Sequence, residues 1–291
     1  MLNLLKSDLY RITRPRGLRG ALWQYAGAVA AIFALVYMLF WFITSGDFSA
    51  PDFYLMKGSE TPSAMLGAVT AGLVPLFASF LVVEHVLADL KDHFARTLVS
   101  ARVGRLSYFA EKIVFAGVMS ALAAFVLAIL SLVLFWALGR TFTGSDGALE
   151  FLTWALAFWL NTWALAALAM TVTLIIRIPA LSYVIAFCLV SGVVAQFFVL
   201  ASSFINAFGT PALGGVATGI ANVIGEFTYW MPSMLIAELI TPGASALASA
   251  GLGEFAQMLP GGAATQAIVA PIIWIAIALA ITLAASRRRE V

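Results

Sequence analysis

Apolar runs close to the ~20 residues that a helix needs to cross a bilayer recur along this chain, and nothing else in it constrains the fold as strongly. The 291 residues are 63% hydrophobic and only 10% charged, with a mean hydropathy of +1.01, well outside the range of soluble domains. Inside lipid every backbone donor and acceptor needs a partner within its own segment, so runs of this length are helices rather than strands. The expected fold class is an all-α polytopic membrane protein, with residues 1–291 forming a single transmembrane domain. The first apolar run is too long for the core of a signal peptide, and no small-residue cleavage site follows it promptly, so no cleavable signal is expected. The single cysteine, Cys188, lies inside an apolar run, which excludes a disulfide within the chain and points to a packing role.

The layout follows from where the charges fall. In residues 1–20, Leu2, Leu5, Leu9 and Ile12 recur at helical spacing with Lys6, Asp8 and Arg11 between them. That pattern predicts an amphipathic helix in the membrane interface, stopped near Pro15. Six spans are expected, about Ala21–Ile43, Ala64–Leu87, Ile113–Leu138, Phe151–Ile176, Leu181–Ile205 and Gln266–Ala285. This arrangement puts fourteen Lys and Arg on one side of the membrane and only Lys57 and Arg140 on the other. The excess marks the cytoplasmic side and puts both termini there, which requires an even number of spans. A seventh span around Leu213–Ile240 would break that parity and carry Glu226 through the bilayer centre, at about 2.5–3.5 kcal/mol for a charge. Residues 206–264, rich in glycine and interrupted by Pro211, Pro232 and Pro242, are expected instead to form short helices over the outer face, part of them re-entrant. Trp41, Trp136 and Trp154 fall near outer span ends, as an aromatic belt requires.

Several chemistries are absent from the sequence. There is no Gly-Lys pair, hence no GxxxxGK[ST] phosphate loop, and there is no HExxH, GxSxG or CxxC. ATP bound by that loop and the commonest hydrolase, metalloprotease and redox sites are thereby excluded, and no catalytic residue is assigned.

One long charged island interrupts the apolar sequence, Glu84 to Lys112, between the second and third spans. Three readings of it stand side by side. In the first it is a solvated loop whose cations only fix orientation. In the second, His85, Asp89, Asp92 and His93 lie within about 100° of one another on a continuous helix and offer nitrogen and oxygen ligands to a metal, the basis of a membrane enzyme using His85, Asp89 and His93. In the third, residues 88–112 are a cytoplasmic coupling element. A short helix through Asp89–Val99 then carries Leu90, Phe94 and Leu98 as an apolar edge rimmed by Lys91, Asp92 and Arg96, the pattern with which a helix docks into a partner's groove.

The run Arg96-Thr97-Leu98-Val99-Ser100, followed by Gly104-Arg105, Tyr108 and Glu111-Lys112 at the start of the third span, resembles the permease subunits of type-2 ABC exporters, in particular the branch associated with bacitracin and lantibiotic protection. Two departures from that pattern stand out: no glycine follows the acidic residue ending the second span, and Gly104 stands where a serine is usual. The resemblance implies an exporter of an amphipathic or membrane-active substrate (antimicrobial peptide, drug or lipid) in a bacterial plasma membrane. It implies a pair of permeases, a second copy or a paralogue, each resting on a separate ATPase subunit that binds the ATP. Leu90, Phe94, Arg96, Leu98, Arg102 and Arg105 would couple to that ATPase. No nucleic-acid partner and no cofactor of the chain's own are expected. A non-transporting immunity or scaffold protein is the further alternative.

Polar residues within the spans are few. Asn161, Thr162 and Gln196 are the candidates for a substrate path, against a simpler role in interhelical hydrogen bonds, to which Gln266 also belongs. Gly67, Ala71, Gly117 and Ala121 allow close helix approach. Glu84 is expected to meet Arg105, Lys112 or interfacial water, and Pro75 and Pro271 to kink their spans.

Overall fold

The computed structural model describes residues 2–13, 24, 26–32, 34, 35, 38, 61–91, 105–137, 141–209, 214–240 and 243–288. The described residues form helices and turns without a strand. Among the described residues, four helices are long and apolar enough to cross a membrane: Leu73–Lys91, Leu106–Ala137, Ala148–Ile176 and Gly262–Ala285. The expected first span lies mostly outside the described residues, although 26–32 are helical.

The chain opens with α1 (Leu2–Thr13). Its apolar stripe, Leu5, Leu9 and Ile12, packs on the protein core around Val86, Ile113 and Phe115. The expected second span is divided into α2 (Pro62–Thr70) and α3 (Leu73–Lys91) by a turn at Ala71–Gly72. Pro62 takes the first position of α2, where its missing N–H costs nothing, and the Thr61 hydroxyl accepts the N–H of Ala64 as an N-cap. Pro75 sits in the first turn of α3, just after the break. α4 (Arg105–Ala137) begins well before Ile113, so Tyr108, Glu111 and Lys112 belong to the helix rather than to a turn approaching it.

α5 (Ala148–Ile176) is the central helix, and 61% of its apolar window is buried, as against 28% for α4. Its alanines (Ala157, Ala164, Ala166, Ala167, Ala169) are fully or almost fully buried and let α3, α4 and the last helix, Gly262–Arg288, approach closely. α5 ends in the left-handed turn at Arg177 (φ 58°), and Pro179 opens α6 (Pro179–Val190). Arg177 and Ile178 thus make a tight turn between the two helices. The fifth expected span is bent: α6 and α7 (Val193–Phe204) meet at 61° across Ser191–Gly192, and Gly192 has φ 76°, a conformation that glycine adopts without strain.

After a single π turn at Ile205–Gly209, the segment expected to form short helices does so, in α8 (Gly215–Tyr229), α9 (Pro232–Glu238), a 3₁₀ turn at Gly243–Ala248 and α10 (Glu254–Gln257). α8 folds back along α7, where the Ser202 hydroxyl donates to the Ala221 carbonyl at 2.9 Å. The Glu226 carboxylate accepts the N–H of Glu254. α11 (Gly262–Arg288) runs the length of α5 as one helix, with Pro271 inside it. The outward faces of α4 and α11 stay apolar, with Phe125, Val133, Ile272 and Ile273 exposed, as lipid-facing helices require.

Candidate functional site

One end of the bundle carries a buried ionic cluster assembled from three helices. Each contributes residues one turn apart. α3 presents His85 and Asp89 at i and i+4, and α4 presents Tyr108 and Lys112 at i and i+4, with Phe115 a turn beyond. α1 presents Asp8, which shares a helix face with Leu5, Leu9 and Ile12, and Arg11 at i+3. The stripe that docks α1 therefore drives a carboxylate inward along with its leucines. Asp8, His85, Asp89, Tyr108 and Lys112 are each between 1% and 6% exposed.

Lys112 is the hub. Its ammonium meets the Asp8 carboxylate, Asp89 Oδ2 at 2.6 Å and His85 Nε2 at 3.0 Å. His85 Nε2 lies between this ammonium and the Asp8 carboxylate, 3.2 Å from Asp8 Oδ2. Its ring stacks near Phe115, with centroids 4.6 Å apart. Asp89 is further held by Arg11 Nη1 at 2.6 Å and by the Tyr108 hydroxyl, which donates at 3.0 Å. The ammonium also lies over the Tyr108 and Phe115 rings, at 5.1 and 5.7 Å from their centroids. Burial alone would raise the Asp8 carboxyl pKa, but His85 and the Lys112 charge outweigh it and hold the group down to about 2.

Asp8, His85 and Asp89 also have the spacing of metal ligands, with one ligand atom from each within 4.8 Å of the others. Their common focus is the Lys112 ammonium, so the set as arranged serves that internal cation. A divalent ion would have to displace it. Sequence reasoning paired His85 and Asp89 with Asp92 and His93, which lie outside the described residues, and it missed Asp8.

The other sequence-predicted residues fall as follows. Leu90 is partly buried against the core beside Val86. Arg105 is the first residue of α4. Phe94, Arg96, Leu98 and Arg102 lie outside the described residues. Glu84 does not meet Lys112: its carboxylate accepts the Tyr183 hydroxyl of α6, and the side chain of Arg105 lies outside the described residues. The physical reason is register, since Glu84 points toward α6 while His85, one residue on, points toward α4. Asn161 is buried and donates to the carbonyls of Ala157 and, across the interface, Ala267. Thr162 donates to the Phe158 carbonyl, and Gln196 is exposed on α7. Trp154, expected in an interfacial belt, is instead buried, with its indole N–H on the Leu239 carbonyl at 3.1 Å.

Comparison with known proteins finds no matching family model, no similar curated protein and no matching solved structure. The described residues thus form an all-helical fold with helices long and apolar enough to span a membrane, in which α1, α3 and α4 are joined by a buried ionic cluster.

Proposed function

We propose that this chain is the six-span permease subunit of an ABC-type exporter, with both termini in the cytoplasm. Its cargo is an amphipathic or membrane-active molecule, and the ATP is hydrolysed by a separate ATPase partner. The observation that supports this reading most is the way the two helices flanking residues 92–104 are tied. Asp89 in the last turn of α3 is bound to Lys112 at 2.6 Å and to Tyr108 at 3.0 Å, both near the start of α4, and Arg11 and Asp8 bring α1 into the same knot. A force applied to the connecting segment is therefore delivered to both spans and to α1 together, instead of being absorbed by a loose loop. Such a joint suits a chain that receives mechanical work from a partner and has no nucleotide-binding loop of its own.

On this reading Arg96, Arg102 and Arg105 face acidic groups of the ATPase, two permeases pair in the membrane, and part of residues 206–264 re-enters the membrane from the outer side. The test is export of a membrane-active peptide by cells carrying Arg105→Glu, together with co-purification of an ATPase. Lost export with normal membrane insertion is expected. Unaltered export, with residues 92–104 touching no other subunit, would refute the reading.

A further inference from the structure

Glu111 has no counter-ion in the cluster just described. It precedes Lys112 on α4, is 1% exposed, and neither of its carboxylate oxygens has a hydrogen-bond partner among the described residues. The charged and titratable groups that act on it are Asp8 from α1, Asp89 from α3, and Tyr108 and Lys112 from its own helix, with Arg11 and His85 behind them against Asp8 and Asp89. At this end of α4 the neighbouring α5 and α11 bring Leu174 and Leu283, and Arg177 of the α5 terminus is exposed.

Among the described residues, Asp8, Asp89 and Glu111 share this pocket with Lys112, Arg11 and His85; Asp8 and Asp89 are ion-paired there, whereas neither oxygen of Glu111 is hydrogen-bonded. An ionised carboxylate buried without a partner beside the Asp8 carboxylate is strongly disfavoured, and the ordinary outcome is that one of the two acids stays neutral. Asp8 is fixed as the charged member by Lys112 and His85.

We infer that Glu111 is a proton-binding site, a buried carboxyl held as the neutral acid whose proton keeps α1 docked against α3 and α4. Removing the proton places a second negative charge beside Asp8 at the α1 seam, and α1 is the least embedded of the three helices, so α1 gives way. The site couples proton occupancy to the position of the N-terminal helix, whatever the chain transports.

The full-length protein in lipid nanodiscs tests this by infrared spectroscopy with ¹³C-labelled glutamate side chains, alongside the distance between spin labels at Ser7 and Ile178. The wild type is expected to show a protonated glutamic-acid carbonyl band at neutral pH that is lost in alkaline buffer, where the label distance lengthens. Glu111→Gln, which mimics the neutral acid, is expected to lack that band and to keep the short distance throughout. A band unchanged in Glu111→Gln would overturn the assignment, as would α1 release at alkaline pH identical in both proteins. Should the variant not fold, the labelled wild type still decides: no protonated glutamic-acid band at neutral pH overturns the proposal.

Discussion

Two buried polar regions hold this molecule together, and they do so by opposite means. At the α1 seam the contacts are ionic, with Lys112, Asp8, Asp89 and Arg11 removed from water. Under the short helices after α8 the contacts are neutral. The Gln266 amide donates to the carbonyls of Tyr229 and Leu252 and accepts the Leu252 N–H at 2.8 Å, and the Ser63 hydroxyl accepts the N–H of Ala244. Neutral amide contacts do not change with pH near neutrality, so they suit a cap that stays in place. Buried charges are costly to separate from their partners, yet they respond to a single proton. The difference marks the cap as static structure and the seam as the place where the fold can be switched.

The largest expected effect comes from removing the hub. Lys112→Met leaves two carboxylates without their shared cation and should destabilise the protein by about 3–5 kcal/mol, with α1 released, in thermal unfolding and label-distance measurements. Unchanged stability would mean that the seam is not a unit. Next is Gln266→Leu, which strands backbone groups of Tyr229 and Leu252 and should cost about 1–3 kcal/mol, with no dependence on pH between neutral and mildly acid buffer. A pH-dependent loss there would erase the contrast with the seam.

The acid limb sharpens it. Asp8 titrates near 2 when docked and at its ordinary value of 3.8 when free. Its stabilisation is therefore fully present above the free value and is lost as pH falls from about 4 toward 2. Acid release of α1 in that window should vanish in Asp8→Asn, which is already weakened at neutral pH. The smallest effect is Thr61→Ala, the loss of the α2 cap, at about 1 kcal/mol and visible only as local fraying in hydrogen exchange at residues 62–65.

The spans were the most legible part of the sequence, because α3, α4, α5 and α11 are each long, apolar and nearly free of charge, and lipid permits little besides a helix there. The breaks were less so. The turn at Ala71–Gly72 lies in residues that are equally at home inside a membrane helix. The bend at Ser191–Gly192 did carry a signal, the Ser-Gly pair, that the apolar run around it masked. The amphipathic pattern of α1 was plain, but its apolar face is met by protein helices, a destination that periodicity does not encode. The cluster was half legible. His85 and Asp89 stand out as a turn-spaced pair, whereas Lys112 is 27 residues from His85 and Asp8 is 104 from Lys112. Only the fold brings them together. Asp8 could still have been found, as the one acid at i+3 from Leu5 and i−4 from Ile12 within an otherwise apolar stripe.

The crossing of α4 with α5 has a consequence for how this sequence can change over time. A methyl group added at Gly117 would come within 2.6 Å of the Trp163 ring, whose N–H is also committed to the Ile113 carbonyl. Position 117 can therefore enlarge only in a lineage where position 163 has already shrunk. The two sites form an ordered pair, and diverged copies of this chain should show a small residue at 117 wherever the large ring persists at 163.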